Sequence, residues 1–167
     1  MTASTDTATT ATTTGTAHRR LDYPAHLPTA YQALVRLHRL VDDSALEQAI
    51  VELVRVRASQ MNGCAYCIDM HTKDARAAGE TEQRLYALPA WPETPFFDDR
   101  ERAALAFTES VTLLARDHVP EAAYEAVAAE FGGQEIAALL SLIVAINAWN
   151  ALSVSTRAWA PGSYQPA

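Results

Sequence analysis

The sequence of 167 residues has few thiols, no excess of positive charge and no strand-like pattern. Its only cysteines are Cys64 and Cys67, so at most one disulfide can form within the chain. The net charge of -7 argues against a surface for nucleic acid or anionic membrane. We find no alternation of apolar and polar residues typical of strands, and we expect no apolar segment as long as a transmembrane helix. Because 49% of the residues are hydrophobic, one domain with a substantial core is expected.

The first 17 residues are rich in Thr and Ala and lack the basic start and apolar stretch of a secretory signal peptide. We expect residues 1–20 to form a flexible segment, residues 21–160 one domain, and residues 161–167 an irregular tail. Without a signal for export, the protein is expected in the cytoplasm. A close pair of cysteines in that compartment is usually catalytic, redox-sensing or metal-bound.

Apolar residues recur at helical spacing through almost the whole chain, which predicts an all-α domain. Ser44 and Glu47 have the pattern of a capping box, and Asp98 or Asp99 is expected to cap a later helix. Leu40 is placed on the apolar stripe of the first helix. The last helix is apolar on nearly all sides, so it should be a central buried helix or an oligomer contact. The predicted helices cover residues 28–41, 45–60, 64–79, 82–88, 98–116, 120–132 and 134–153, with an irregular segment at 89–95.

The third predicted helix carries the chemically informative residues. If it begins near Cys64, then Cys64, Cys67 and His71 share one face because they lie at positions i, i+3 and i+7. The positive end of the helix dipole favours the thiolate, which is the nucleophilic form of cysteine. The imidazole can exchange a proton with the nearer sulfur. This face therefore predicts a redox or metal-binding function.

Glu52 lies in an otherwise apolar run of the preceding helix. It is either at the edge of the apolar stripe, paired with Arg55 or Arg57, or buried with a partner. If this carboxyl group is buried, its pKa should rise towards neutrality and it could act as a base. Because Asn62 and Gly63 predict a tight turn, the two helices should pack antiparallel and could bring Glu52 and His71 together.

Together, Glu52, the run Cys64-Ala65-Tyr66-Cys67 and His71 resemble the motif of the alkylhydroperoxidase D-like (carboxymuconolactone decarboxylase) superfamily. Similarity extends through the flanking residues 53–63 and to Trp91-Pro92-Glu93-Thr94, Glu101-Arg102-Ala103-Ala104-Leu105 and Ile146-Asn147-Ala148-Trp149-Asn150, so that it covers roughly residues 20–160.

The resemblance implies an all-α, AhpD-like helical bundle that forms a homo-oligomer (dimer, trimer or hexamer) and acts as a thiol-dependent peroxidase. Carried over from the family, Cys67 attacks the hydroperoxide and becomes a sulfenic acid, and Cys64 then closes the disulfide. His71 and Glu52 would form the proton relay. The resemblance also implies that a dihydrolipoyl protein re-reduces the disulfide, that a peroxiredoxin can be a partner, and that no other cofactor is needed.

Tyr66 departs from the pattern, since the founding members carry a histidine between the two cysteines. Tyrosine is a poor base at neutral pH because its reference pKa is about 10. We expect Tyr66 to donate a hydrogen bond or to line the substrate entrance.

Three other interpretations remain open from the sequence. The cysteines could be small buried hydrophobic residues. They could bind zinc with His71, the fourth ligand being Glu52 or water. The same fold could also serve as a redox sensor or biosynthetic accessory protein that binds a small hydrophobic molecule. Residues outside the motif are assigned no function: His26, His38 and His118 to the surface, Trp149, Asn147 and Asn150 to packing, and Arg55 and Arg57 to structural ion pairs.

Overall fold

The structure, a computed structural model, describes residues 18–166. Within this range the chain forms helices joined by short connections and contains no strand, which confirms the all-α prediction. The elements in chain order are α1 (Tyr23–His26), α2 (Pro28–Asp42), α3 (Gln48–Met61), α4 (Ala65–Ala77), α5 (Glu82–Ala87), a 3₁₀ segment (Leu88–Glu93), α6 (Asp99–Thr112), α7 (Leu114–Asp117), α8 (Glu121–Glu130) and α9 (Gly133–Thr156).

Helix α3 lies at the centre of the fold and packs against α4, α6 and α9. Every residue from 50 to 56 of α3 is buried. The apolar side chains of this segment belong to two clusters. Ile50, Val51 and Val54 pack with residues of α6, α8 and α9, whereas Leu53 and Val56 pack with residues of α4, α5 and α6. The charged residues of this segment are therefore carried into the interior, where each must find a partner.

The capping box predicted at Ser44 and Glu47 is wrong. Helix α3 begins at Gln48, and the side chain of its N-cap, Glu47, makes no capping hydrogen bond. Instead, the Glu47 carboxylate forms an ion pair with Arg100 of α6, with Nε and Oε1 3.0 Å apart. The Ser44 hydroxyl accepts a hydrogen bond from the backbone of Leu46 (3.4 Å) within the loop. A tertiary contact thus replaces the local cap.

The other helix boundaries differ from the prediction in smaller ways. Asp98 caps α6 in a true capping box with Glu101, as predicted. The helix expected to reach residue 116 stops at Thr112 and is followed by the short α7. The proline-rich segment is not irregular throughout, because it forms the 3₁₀ segment with a kink at Ala90.

Leu40 does not lie on an apolar stripe of α2, as the sequence predicted, because its side chain is 63% exposed.

Helix α9 is buried on one face only. Leu139, Leu142 and Ile143 are buried, while Leu140 and Val144 on the other side are exposed. By length and composition alone it could cross a membrane, since its most apolar window has a mean hydropathy of 1.8. Our expectation that no segment reaches this length is therefore wrong. However, the core helix of a soluble protein passes the same test, and 39% of that window is buried.

The predicted flexible segment lies almost entirely outside the described residues. Of residues 1–20, only 18–20 are described, and Arg20 there donates a backbone hydrogen bond to Thr156 (2.8 Å). The C-terminal tail has no helix up to residue 166. It nevertheless contacts α4: the Lys73 ammonium donates to the carbonyl of Tyr164 (2.9 Å), and the Tyr164 hydroxyl donates to Asp74 (2.6 Å).

Candidate active site at the start of helix α4

A disulfide joins Cys64 and Cys67 at the N-terminus of α4. Cys64 is the N-cap residue, and its sulfur accepts a hydrogen bond from the backbone N–H of Cys67 (3.3 Å). Gly63, immediately before it, has φ +64°, a conformation that glycine adopts without steric cost. The predicted Asn62-Gly63 turn therefore places the two sulfurs at the positive end of the helix dipole. Both cysteines are buried, at 1% and 2% exposed.

His71 and Glu52 are in contact, as predicted. The Nδ1 atom of His71 lies 3.2 Å from Oε2 of Glu52, and both residues are buried. An ionised carboxylate can only accept a hydrogen bond, so we infer that Nδ1 carries the proton. In the neutral ring, Nε2 is then left with its lone pair and can act as a base.

Glu52 does not have the raised pKa that its burial alone suggests. Burial does raise the pKa, but the hydrogen bond from His71 and the positive charges of His71 and Arg55 outweigh it and lower the pKa below its ordinary value. The Arg55 guanidinium donates to Oε1 at 2.9 Å, and the Gln48 amide donates to the same oxygen at 3.0 Å. Glu52 is therefore an ionised residue that orients His71, and our expectation that it is a base with a raised pKa is wrong.

Cys67 and His71 face a common cavity of about 180 Å³, which we call the aromatic cavity. Four aromatic side chains form much of its wall through a chain of ring contacts, with centroids 5.6 to 6.5 Å apart. The lining residues are Tyr31, Val35, His38, Tyr66, Cys67, Met70, His71, Trp149, Ser153 and Trp159. Because the wall is mainly aromatic and apolar, the cavity suits an uncharged organic molecule.

Tyr66 lies in this wall, where its ring stacks on Trp159 at 6.1 Å between centroids. Burial and the nearby Tyr31, Asp69 and Asp74 raise the pKa of its hydroxyl. The hydroxyl is therefore protonated at neutral pH and can donate a hydrogen bond, while its role at a substrate entrance stays a prediction.

Sequence reasoning missed two residues of the cavity. Trp149 was assigned to packing, but it forms part of the wall. His38 was assigned to the surface, but its side chain is only 27% exposed and stacks on His71 with 6.5 Å between ring centroids. The sequence offers only the helical spacing that places His38 on one face of α2. This spacing does not distinguish an imidazole in a cavity from one in solvent.

Cys64 lies on a different surface from Cys67. It lines an open groove of about 680 Å³ together with Tyr66, Arg19, Arg157 and the segment from Ala158 to Pro161. The two buried cysteines thus line two different pockets, and Tyr66, Ser153 and Trp159 line both.

The remaining predictions for polar residues were mostly right. Arg55 and Arg57 form ion pairs with Glu52 and Glu109, at 2.9 and 2.8 Å. The Asn150 amide donates to Ser59 (3.0 Å), which is an interhelical contact as expected. His26 and His118 are exposed.

The zinc site that the sequence left open as an alternative, with Cys64, Cys67 and His71 as ligands, is not formed in this structure. In this structure the two sulfurs are bonded to each other, so neither is a thiolate ligand. Among the described residues, the acidic and imidazole groups close enough to share an ion are Glu52, His71 and Asp74.

Comparisons with known proteins agree on the family to which the chain is related. Residues 28–110 match the Carboxymuconolactone decarboxylase family. The uncharacterized protein YdfG of Bacillus subtilis (strain 168) is 39% identical over 137 residues, which cover 82% of this chain and 93% of YdfG.

Solved structures show the same fold. A protein of unknown function from Agrobacterium tumefaciens, proposed to be the antioxidant defence protein AhpD, is 36% identical and superimposes with a TM-score of 0.82 over 90% of this chain and 99% of its own. The debrominase Bmp8 is similar in fold alone, with 16% identity and a TM-score of 0.71 over 83% of this chain and 74% of Bmp8. By motif, sequence and fold, the chain belongs to the AhpD-like carboxymuconolactone decarboxylase superfamily.

Proposed function

We propose that the protein is a thiol-dependent peroxidase that reduces organic hydroperoxides through a Cys64–Cys67 dithiol/disulfide cycle. The observation that carries this proposal is the placement of Cys67 and His71 in the wall of one aromatic cavity, with the partner cysteine already joined to Cys67 in a disulfide. A redox couple, a base and a substrate-sized space are thereby combined at one site.

Cys67 is the attacking residue in this proposal, and Cys64 is the resolving residue. In the reduced protein, the Cys67 thiol lies in the first turn of α4, where free backbone N–H groups favour the thiolate. It shares the cavity with His71, whereas Cys64 lines the separate groove. A hydroperoxide that enters the cavity would therefore meet Cys67 first.

The reaction begins when Nε2 of His71 takes the proton of the Cys67 thiol. The thiolate attacks the terminal oxygen of the hydroperoxide, so that an S–O bond forms while the O–O bond breaks. His71 returns its proton to the alkoxide, which leaves as an alcohol, and Cys67 is oxidised to sulfenic acid. The Cys64 thiol then attacks this sulfur. As the S–S bond forms, the S–O bond breaks and the thiol proton passes to the departing hydroxide, which leaves as water.

Glu52 has a positioning role in this scheme. Its ionised carboxylate holds His71 by Nδ1 and stabilises the imidazolium that forms when Cys67 loses its proton. Its lowered pKa supports this role, because the carboxylate remains charged throughout the neutral pH range.

The cycle closes when an external dithiol reduces the disulfide by thiol–disulfide exchange. We propose a dihydrolipoyl protein as this reductant, a peroxiredoxin as a further partner, a cytoplasmic location and a homo-oligomer. The exposed apolar residues Leu140, Val144 and Val154 of α9 support an oligomer contact, since they leave an apolar face uncovered.

The second candidate is a sensor that binds a small hydrophobic molecule and forms the disulfide without turning over peroxide. The aromatic wall of the cavity favours it, because such a wall suits binding as well as catalysis. Steady-state turnover distinguishes the two functions.

The test is the consumption of cumene hydroperoxide with dithiothreitol as reductant, in the wild type, Cys67→Ser and Cys64→Ser. We expect sustained turnover in the wild type only. A dimedone adduct, detected by mass spectrometry, is expected at Cys67 in Cys64→Ser, since the sulfenic acid cannot resolve. Equal rates in the wild type and Cys67→Ser would refute the peroxidase. A single oxidation per wild-type molecule, with no further consumption, would establish the sensor instead.

A further inference from the structure

His38 of helix α2 brings a second imidazole to the aromatic cavity. It lines the cavity together with Cys67 and His71. Its ring stacks on that of His71 at 6.5 Å and meets the ring of Trp149 edge-on at 6.4 Å between centroids. His38 takes no part in the reaction steps proposed for Cys64, Cys67 and His71.

The hydrogen bonds of His38 determine which of its nitrogens carries the proton. The guanidinium of Arg55 reaches Nε2 of His38 at 3.3 Å. An oxygen of Asp42 lies 3.5 Å from the same nitrogen, but the contact that meets hydrogen-bond geometry is the one with Arg55. Arginine has only donors, so Nε2 accepts this bond. A neutral His38 therefore carries its proton on Nδ1, and the same buried arginine that holds Glu52 also selects this tautomer.

The surroundings keep the ring neutral at physiological pH. Burial and the charge of Arg55 lower the pKa of His38 to about 4, although Asp42 on α2 and Glu52 on α3 act in the opposite direction. His71 on α4 lowers the pKa further.

The Nδ1 atom of His38 is available to a ligand. No residue between 18 and 166 accepts a hydrogen bond from it. The side-chain atoms of this range that are both buried and without a partner are Nε of Arg55 and Nε1 of Trp149. Because Nδ1 of His38 has no partner and is not one of them, it is accessible. Since Nε2 is occupied by Arg55, Nδ1 is the polar atom that His38 can offer to the cavity.

We propose that His38 is a catalytic residue whose Nδ1–H donates a hydrogen bond to the oxygen that leaves with the organic group. This assignment depends on the proposed peroxidase function. When the Cys67 thiolate attacks the terminal oxygen and the O–O bond breaks, negative charge develops on the other oxygen. A fixed donor stabilises that charge without giving up its proton. The proton that completes the alcohol still comes from His71.

The experiment compares three substitutions at this position. His38→Leu removes both nitrogens. The amide nitrogen of His38→Asn can take the place of Nδ1, whereas the amide oxygen of His38→Gln can take the place of Nε2 and accept from Arg55. The control is His118→Asn at an exposed histidine. His118 has a φ of 52°, a backbone conformation that asparagine tolerates.

We expect kcat/KM for cumene hydroperoxide to fall about 100-fold in His38→Leu. His38→Asn should recover most of this loss and His38→Gln should not. The rate of Cys67 alkylation by iodoacetamide between pH 5 and 9 should remain unchanged in all three, because thiolate formation depends on His71 and Glu52. In addition, ¹⁵N NMR of the wild type should find His38 protonated at Nδ1.

Other outcomes would overturn the proposal in distinguishable ways. If kcat/KM falls equally in the three variants, or if only His38→Gln recovers it, then His38 serves only to hold Arg55. Protonation at Nε2 in the NMR spectrum would refute the assignment directly, whether or not the protein turns over. If the wild type consumes peroxide and His38→Leu matches it, only the role of His38 fails. If the wild type consumes none, the peroxidase and the role of His38 fail together.

Discussion

The imidazole Nδ1 of His71 lies 3.2 Å from the carboxylate Oε2 of Glu52, although nineteen positions separate the two residues in the chain. Both are buried, and each comes from a helix packed against the other. The second oxygen of Glu52 is held by Arg55. The position of the imidazole therefore depends on a carboxylate whose own position depends on Arg55.

Glu52→Gln should slow the formation of the Cys67 thiolate. The amide keeps the shape of the side chain but removes the charge that stabilises the His71 imidazolium. We expect the iodoacetamide alkylation rate of the reduced protein at pH 7 to fall by about tenfold or more. The matched control is Glu47→Gln, because Glu47 lies just before the same helix with an exposed side chain. Identical alkylation rates from pH 5 to 9 would contradict the relay.

The stability of the protein should fall between pH 7.5 and pH 5 because of His38. Its pKa is lowered from 6.5 to about 4, so the unfolded chain binds a proton in this range that the folded protein does not. Stability is thus present above pH 6.5 and is lost as pH falls towards 4. From the two pKa values the loss at pH 5 is about 2 kcal/mol.

Urea unfolding at the two pH values measures this loss, and His38→Asn should reduce the difference while His118→Asn should not. Glu52 does not interfere, because its pKa is lowered from 4.5 and its contribution is lost only at more acidic pH. The same pH dependence in the wild type and His38→Asn would show that His38 titrates normally.

Arg55→Met should destabilise the protein strongly. The guanidinium is buried and contacts Glu52, Asp42 and His38, so its removal leaves a buried carboxylate without its cation. We expect a loss of about 3–5 kcal/mol in the free energy of unfolding, measured in urea at pH 7.5. Arg57→Met removes a more exposed ion pair, with Glu109, and should cost about 1 kcal/mol or less. If Arg55→Met cost as little as this, the buried network would contribute little.

Trp159→Leu should weaken the recognition of bulky hydroperoxides. The Trp159 ring contacts those of Tyr31, Tyr66 and Trp149, so its loss opens the wall of the cavity. If the peroxidase function holds, we expect KM for cumene hydroperoxide to rise about tenfold, because aromatic contacts of this kind contribute roughly 1 kcal/mol each. The rate with hydrogen peroxide should stay nearly constant. Tyr86→Leu, at an aromatic residue 76% exposed, is the control. A parallel loss for both substrates would point to a general structural effect.

Much of the site follows from the sequence because it depends on local geometry. Cys64, Cys67 and His71 lie on one helix, and the Asn62-Gly63 turn determines where that helix begins. The same short turn makes α3 and α4 neighbours, so the contact of Glu52 with His71 could also be predicted. The position of Asp98 as a cap is a local feature of the same kind.

Features that depend on distant helices could not be predicted. The Ser44–Glu47 cap failed because Arg100, from α6, provides a better partner for the Glu47 carboxylate. The pKa of Glu52 was expected to rise because the sequence indicates burial, but not that His71 of α4 and Arg55 together would outweigh the effect of that burial. Trp149 and His38 enter the cavity from α9 and α2, and neither helix has a sequence pattern that identifies the face turned towards the cysteines.

The sequence by itself determined the all-α class, the family and the redox pair with its imidazole and carboxylate, because these follow from helical periodicity and from spacing along the chain. Only the tertiary structure decided the charge state of Glu52, the aromatic wall of the cavity and the presence of a second imidazole. Electrostatic environment and cavity shape depend on side chains brought together from α2, α3, α4 and α9, and their mutual positions are set by packing rather than by any one segment.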